Sequence, residues 1–391
     1  YGIPAYRLPR DILDGEVQRL VKIGIKLTLG HKVENAVAEE EAGGFDAVFV
    51  CVGAHISKRT DIPARDASKV LDAVTFLRDI ESDAQPIIGR RVAIYGGGNT
   101  AMDAARSAKR LGATDAMIIY RRDRDHMPAH DFEATEAEEE GVTINWLSTI
   151  KEMDTYATTI TIEKMELDED GRPQPTGEFD TLEADSLILA LGQDIDSDLL
   201  LGAEGVELKE DGTVTVDESF MTGYQGIFAG GDMVPDERSI TFAVGHGRKA
   251  ARYINGYLTG LPYVRAEKHS LVEYHKLQLW YKTDADVSVQ PSIAIEQRVS
   301  GFDEVIEGLS EEQAVFEAQR CYSCGNCFEC DGCYGACPEN AVIKLGKGNR
   351  YKYNYDLCIG CRACFLQCPC HAIEMAQPDD PRIVAIREET T

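Results

Sequence analysis

Two cysteine runs near the C-terminus constrain this chain more than any other feature. Cys327, Cys330, Cys333, Cys337 and Pro338 spell C-x2-C-x2-C-x3-C-P, and a shift of 31 residues lays them on Cys358, Cys361, Cys364, Cys368 and Pro369, with Ala341 falling on Ala372. Thiolates at this spacing wrap a cubane, and the fourth cysteine of each run reaches across to the other cluster. The predicted ligand sets are Cys327, Cys330, Cys333 with Cys368, and Cys358, Cys361, Cys364 with Cys337, holding two [4Fe-4S] clusters. Structural zinc is the alternative, but zinc sites take four ligands each and do not call for the crossed arrangement. Such a pair is a wire, because each cluster carries one electron and so links a two-electron donor to one-electron acceptors.

Of the 12 cysteines, 11 lie between Cys321 and Cys370. In a long chain that shows no secretory signal, such crowding reads as metal ligation and predicts a reducing cytoplasm. Three cysteines of the region are left over. Cys321 and Cys324 extend the C-x2-C ladder upstream, which leaves open a slipped ligand choice or a further cluster, while Cys370 aligns with Glu339 in the repeat and is out of ligand register. The twelfth, Cys51, sits in the apolar run FDAVFVCV and reads as a packing residue of a buried strand. With 67 acidic against 40 basic side chains the formal charge is −27, which repels phosphate backbones and disfavours nucleic acid as a partner. No apolar run reaches the roughly 18 residues of a transmembrane helix.

A second constellation lies in the middle of the chain. Arg91-Val92-Ala93-Ile94-Tyr95 reads as a strand, followed by Gly96-Gly97-Gly98-Asn99-Thr100-Ala101 and a helix through about Leu111, then a strand at 116–120. A G-x-G-x-x-A between a strand and a helix is a dinucleotide turn: the first glycine makes the bend, the second admits a pyrophosphate, and the helix N-terminus favours its charge. The second strand ends in Tyr120-Arg121-Arg122-Asp123-Arg124 and lacks the acid that would hold a ribose 2′-OH. Arg121 and Arg122 suit a 2′-phosphate, hence NADPH rather than NADH. The acidic run at 136–140 reads as a solvated face. Residues 143–185 alternate like a β-ribbon, SLILALG at 186–192 reads as a buried strand, and a helix is predicted from Ile240 to about Leu258.

A third segment, GIFAGGD at 226–232, ends a strand with small residues and one acid. Gly231 allows close approach and Asp232 can accept hydrogen bonds from a polyol, although an Asp capping the next element reads equally from the residues alone. Ile240 and Thr241 open the following helix, whose N–H groups could face an electron-rich ring edge.

Taken in order, GIPAYRLP, VAIYGGGNTAMDAAR, YRRDRDHMPA, LILALGQ and GIFAGGD resemble the β subunit of bacterial glutamate synthase and its wider family of FAD- and NADPH-binding proteins, over about residues 1–258. The resemblance implies an α/β fold: two nested Rossmann-like (FAD and NADPH) domains followed by a small α+β bacterial-ferredoxin-like domain. It implies an FAD domain at 1–85 and 187–262 lacking its N-terminal part, an inserted NAD(P)H domain at 86–186, a connecting arm at 263–313, a 2[4Fe-4S] domain at 314–376 and a tail at 377–391. Carried over, Gly96, Gly98, Asn99, Thr100, Arg121 and Arg122 hold NADPH, Asp232 meets the FAD ribityl chain, and Ile240 and Thr241 lie by the isoalloxazine. Hydride passes from nicotinamide to flavin, which needs stacking geometry more than any acid or base, so no catalytic side chain is named.

The family's first G-x-G-x-x-G does not occur in this chain, which opens at Tyr1 without Met and reads there like the middle of a domain, so an upstream segment or one from another chain is expected. The family's clusters ordinarily lie at the N-terminus, whereas EAQRCYSCGNCFECDGCYGACP lies near the C-terminus here. That arrangement is similar to DsrL-like NADPH:acceptor oxidoreductases, β chains of NADPH-dependent iron reductases and subunits of 2-oxoacid:ferredoxin oxidoreductases. The leading expectation is an NAD(P)H:acceptor oxidoreductase subunit in a hetero-oligomeric complex, with ferredoxin or a redox subunit as partner. Two others stand beside it: a glutamate synthase small subunit, and a non-catalytic electron-transfer subunit.

Overall fold

The computed structural model describes residues 2–58, 70–82, 86–154, 159–264, 273–277, 285–322 and 325–377. Cys324 and the tail beyond residue 377 lie outside the described residues. The chain divides into two compact units, Tyr1–Val264 with Ser292–Glu307, and Arg265–Pro291 with Gly308–Thr391. The segment expected as one connecting arm is thus shared, its middle belonging to the first unit.

The first unit begins with α1 (Arg10–Lys22) and α2 (Ala36–Gly43), then β1 (Val48–Val50), β2 (Ile56–Ser57), β3 (Val70–Asp72) and α3 (Ala73–Ile80). The nucleotide-type half follows as β4 (Arg91–Tyr95), α4 (Asn99–Arg110), β5 (Asp115–Ile119), α5 (Asp131–Glu139), β6 (Val142–Asn145), a ribbon of β7 (Ser148–Met153), β8 (Thr159–Leu167) and β9 (Pro173–Glu183), and β10 (Ser186–Leu189). Next come β11 (Gln193–Asp194), β12 (Ile227–Ala229), α6 (Ile240–Thr259) and the short α7 (Ile295–Arg298).

A parallel sheet in the order β3-β10-β4-β5-β6 is the centre of this unit. Such sheets are covered on both faces, which is why their strands are apolar almost throughout. Val92, Ile94 and Ile118 pack on one face with Phe76, Met102 and Ala134 of α3, α4 and α5, while Ala93, Ile119 and Leu187 pack on the other with Met153, Ile160 and Ile162 of the ribbon. Ser186–Leu189, expected with the returning first domain, is instead inserted between β3 and β4 of the nucleotide-type sheet. A smaller core forms where β1 pairs in parallel with β12 and buries Val50, Ile195, Val214, Ile227 and Ala229. The antiparallel pair β2–β11 lies where the chain leaves and re-enters that smaller half.

Two readings are corrected here. Cys51 lies one residue past β1 and is exposed, because the strand ends at Val50. The acidic run is a solvated face only in part: Glu138 and Glu139 are exposed, but Glu140 is buried and accepts hydrogen bonds from Arg106 Nη2 at 2.7 Å and from Arg110 Nη1 at 2.5 Å, while Glu136 pairs with Arg106 at 2.6 Å. Arg7 and Tyr6 add to this network by reaching Asp103 of α4 at 2.6 and 2.9 Å.

The second unit holds α8 (Glu311–Gln319), whose N-terminus is closed by a reciprocal Ser310 and Gln313 capping box, then α9 (Gly332–Ala336), the antiparallel hairpin β13 (Val342–Lys344) with β14 (Tyr351–Tyr353), and α10 (Ala363–Gln367). Asp331 and Arg362, the residues entering α9 and α10, have φ of 63° and 65°, and Asn340 and His371 have φ of 51° and 53°. Each pair is 31 residues apart, so the repeat in sequence is also a repeat in backbone conformation.

Candidate functional site

The dinucleotide turn follows β4 at the point where the sheet order reverses, with β5 and β6 to one side and β10 and β3 to the other. Ligands of open α/β sheets bind at the carboxyl ends of strands at such a reversal. Gly96 has φ +147°, and a Cβ there would lie 2.1 Å from the Ala190 carbonyl oxygen. Gly97 lies against the ring of Tyr120, whereas a Cβ on Gly98 would meet nothing within 4 Å. The crowding therefore explains the first two glycines, and the open space beside the third is where a pyrophosphate could approach. No side chain caps the N-terminus of α4 at Gly98.

Asn99 Oδ1 accepts the His130 N–H at 3.3 Å, and Thr100 Oγ1 lies 3.4 Å from Gln193 Nε2. Both side chains thus tie neighbouring loops to the start of α4. Of the arginines after β5, Arg124 is committed to Asp131 at 2.5 Å, Glu138 at 2.9 Å and Thr135 at 2.6 Å. Arg121 is exposed. Arg122 Nε is buried with no hydrogen-bond partner, an uncommon state for a guanidinium and one that an anion would relieve. The motif therefore separates into one structural arginine and two that face outward or lack a partner.

In the smaller half, Gly231 has φ +65° and its N–H donates to His246 Nδ1 at 3.2 Å, while His246 Nε2 lies 3.2 Å from Asp236. One donor and one acceptor thus fix the ring: Nδ1 accepts from the Gly231 N–H, so Nε2 carries the proton toward Asp236. His246 escaped the sequence reading because it lies inside α6, well beyond the GIFAGGD run. Asp232 is half-buried, and Ile240 and Thr241 are exposed at the start of α6, where the Ser239 side chain accepts the Phe242 N–H. The large apolar side chains Ile12, Leu20, Ile23 and Leu29 are exposed on and after α1, and no residue of α1 is buried.

The cysteine repeat folds into two gatherings. Cys333 is buried, and burial together with the nearby sulfurs of Cys327, Cys330 and Cys368 pushes its thiol up to about 11. Cys337, Cys358, Cys361 and Cys364 line a cavity of 480 Å³. Cys368 of the second run thus lies with cysteines of the first, and Cys337 of the first with those of the second. Backbone N–H groups point at the sulfurs: Glu329 to Cys327 at 3.4 Å, Ala341 to Cys337 at 3.3 Å and Ala372 to Cys368 at 3.1 Å. Tetrahedral zinc, with Zn–S of about 2.3 Å, needs its sulfurs within about 4 Å of one another. Among the described residues no three candidate ligands converge on one point for a single ion. Four cysteines around one cavity, one of them taking a backbone N–H on its sulfur, fit a cubane. Cys321 is exposed, and Cys370, set aside by the repeat, is buried beside Cys368.

The family model of the pyridine nucleotide-disulphide oxidoreductases matches residues 10–247, and that of the 4Fe-4S binding domain matches residues 351–374. The chain is 37% identical over 350 residues to the NADP(+)-dependent formate dehydrogenase subunit beta of Moorella thermoacetica, covering 82% of this chain and 48% of that protein. It is 32% identical over 290 residues to a putative glutamate synthase [NADPH] small chain of Cereibacter sphaeroides, covering 68% and 70%. It is 29% identical over 366 residues to the NADPH-Fe(3+) oxidoreductase subunit beta of Geobacter sulfurreducens, covering 82% and 54%. The chain thus spans about half the length of the first and third of these relatives.

Proposed function

Since the chain belongs to the pyridine nucleotide-disulphide oxidoreductase family, we propose that it is the electron-transferring part of a flavin-dependent NADPH:acceptor oxidoreductase, wired through FAD and two [4Fe-4S] clusters to ferredoxin or a redox partner subunit. The observation that carries the reading is the joining, in one chain, of a glycine turn at the carboxyl end of β4, with an arginine whose buried Nε lacks a partner, to two cysteine runs in which the fourth cysteine of each lies with the other run. When bound, FAD accepts a hydride's electron pair, and the clusters pass electrons singly.

The residues supply positioning. The turn at Gly96 and Gly98 with the uncapped start of α4 receives the pyrophosphate, and Arg121 and Arg122 receive the 2′-phosphate. Asp232 accepts from the ribityl hydroxyls, and Ile240 and Thr241 flank the ring. The thiolates of the two sets hold the clusters, and their N–H donors offset the sulfur charge. The relatives named as subunits support a hetero-oligomeric setting, and the reduced thiols such clusters require support a cytoplasmic one. No helix among the described residues is long and apolar enough to cross a membrane.

The relative named as a glutamate synthase small chain favours a second reading, in which the acceptor is an amidotransferase partner. An anaerobic NADPH titration of the intact protein, followed by flavin absorbance and electron paramagnetic resonance with NADH in parallel, tests the first. Flavin bleaching, two interacting cluster signals and about eight irons per chain are expected; clusters without reducible flavin would make this chain an electron carrier for an enzyme elsewhere. Replacing Arg122 by Ala removes a charge-assisted bond of about 1.5–3 kcal/mol, so NADPH should bind about 10- to 150-fold more weakly while NADH is little changed. Equal losses for both nucleotides would remove the 2′-phosphate assignment.

A further inference from the structure

The two fourth ligands, Cys337 and Cys368, occupy equivalent places in the repeat and receive equivalent backbone donors, from Ala341 at 3.3 Å and Ala372 at 3.1 Å. Their surroundings then diverge. Two residues past Cys337 stands Glu339, which is exposed. Two residues past Cys368 stands Cys370, whose side chain is 2% exposed and whose Sγ lies 3.8 Å from Cys368 Sγ. Cys368 as an iron ligand is a thiolate and can only accept, so in this contact the Cys370 S–H is the donor. Among the described residues, one of two otherwise matched sulfurs therefore has a side-chain donor that its counterpart lacks.

Hydrogen bonds to the ligand sulfurs are among the levers that set the reduction potential of an iron–sulfur cluster. A donor stabilises the more negative reduced state, so it raises the potential, and a site out of contact with water makes the effect larger. We propose that Cys370 is a positioning residue for the cluster of Cys327, Cys330, Cys333 and Cys368, donating to Cys368 and setting that cluster's potential above the value its four ligands alone would give. The inference rests on the two-cluster reading above and assigns Cys370 no ligand role. It separates the two clusters by their surroundings.

The test is a redox titration of the intact protein by electron paramagnetic resonance, with iron content measured on the same samples, for the unsubstituted chain, Cys370→Ala and Cys370→Ser. Both variants are expected to keep full iron. Cys370→Ala should move one midpoint to a lower potential and leave the other in place, and Cys370→Ser, whose hydroxyl can still donate, should return it at least partway. The shifted signal is assigned in the Cys337→Ala background, which keeps the cluster next to Cys370. An unchanged midpoint in Cys370→Ala overturns the inference, and so does loss of a cluster in either variant, because Cys370 would then be a ligand. Absence of cluster signals from the unsubstituted protein overturns the two-cluster reading itself, whereas signals that ignore the substitution overturn this inference alone.

Discussion

Cys368→Ala should remove the same cluster as Cys333→Ala, although Cys368 belongs to the second cysteine run and Cys333 to the first. Each variant is expected to hold about four irons in place of about eight, and the surviving resonance signal should be the same in both. Cys337→Ala and Cys364→Ala should form the complementary pair and keep the other signal. The physical ground is the way the repeat folds: Cys333 has Cys327, Cys330 and Cys368 around it, and Cys337 shares a cavity with Cys358, Cys361 and Cys364. A methyl in place of a thiolate leaves one iron without its protein ligand, and metal binding in such small domains is also folding energy. Iron analysis with spectra of all four variants decides the matter. If Cys368→Ala instead behaves like Cys364→Ala, each run holds its own cluster and the crossed assignment is wrong.

Glu140→Ala should cost the nucleotide-type half about 3–5 kcal/mol, because it leaves Arg106 and Arg110 buried without their shared carboxylate. Both guanidinium groups are nearly inaccessible, and the Glu140 carboxylate is fully enclosed between them. The expected readout is an apparent melting temperature lower by about 6–20 °C, with faster hydrogen exchange in α4 and α5. The network also carries a pH signature. Burial alone would raise the Glu140 carboxyl, but hydrogen bonds from Arg110 and Arg106 outweigh it and hold the group below the ordinary carboxylate range. Stability from a lowered carboxyl is present above the unfolded value and is lost as pH falls through the folded one, so Glu140→Gln should flatten the acid limb of the stability profile. A variant as stable as the parent would mean that the arginines find water instead.

The parts legible in the sequence were those where chemistry dictates spacing. Thiolates around a cluster and glycines at a dinucleotide turn leave fixed intervals, and both can be read from Cys327 and Gly96 onward without any neighbour. What escaped depends on partners distant in sequence. Glu140 reads as solvated because Arg106 and Arg110 lie about thirty positions upstream. Ser186–Leu189 gives no sign of joining β3 and β4, since parallel strands meet through crossovers and not through turns. Cys51 was misplaced by a single position at a strand end, and the burial of Cys370 has no sign in the repeat, whose register aligns it with the exposed Glu339.

The nested order of strands has a consequence for how the chain comes off the ribosome. Val48 pairs with Ile227, roughly 180 residues later, and the nucleotide-type sheet between them closes only when Ser186–Leu189 slides between β3 and β4. At about 5–20 residues per second, roughly 10–35 s pass between synthesis of β1 and of β12. Throughout that interval β1 waits for β12, the strand it pairs with in the folded unit. The inserted half is thus complete first and carries its flanking strands as a waiting edge, a stage at which a chaperone or an early-arriving subunit would do most to prevent aggregation.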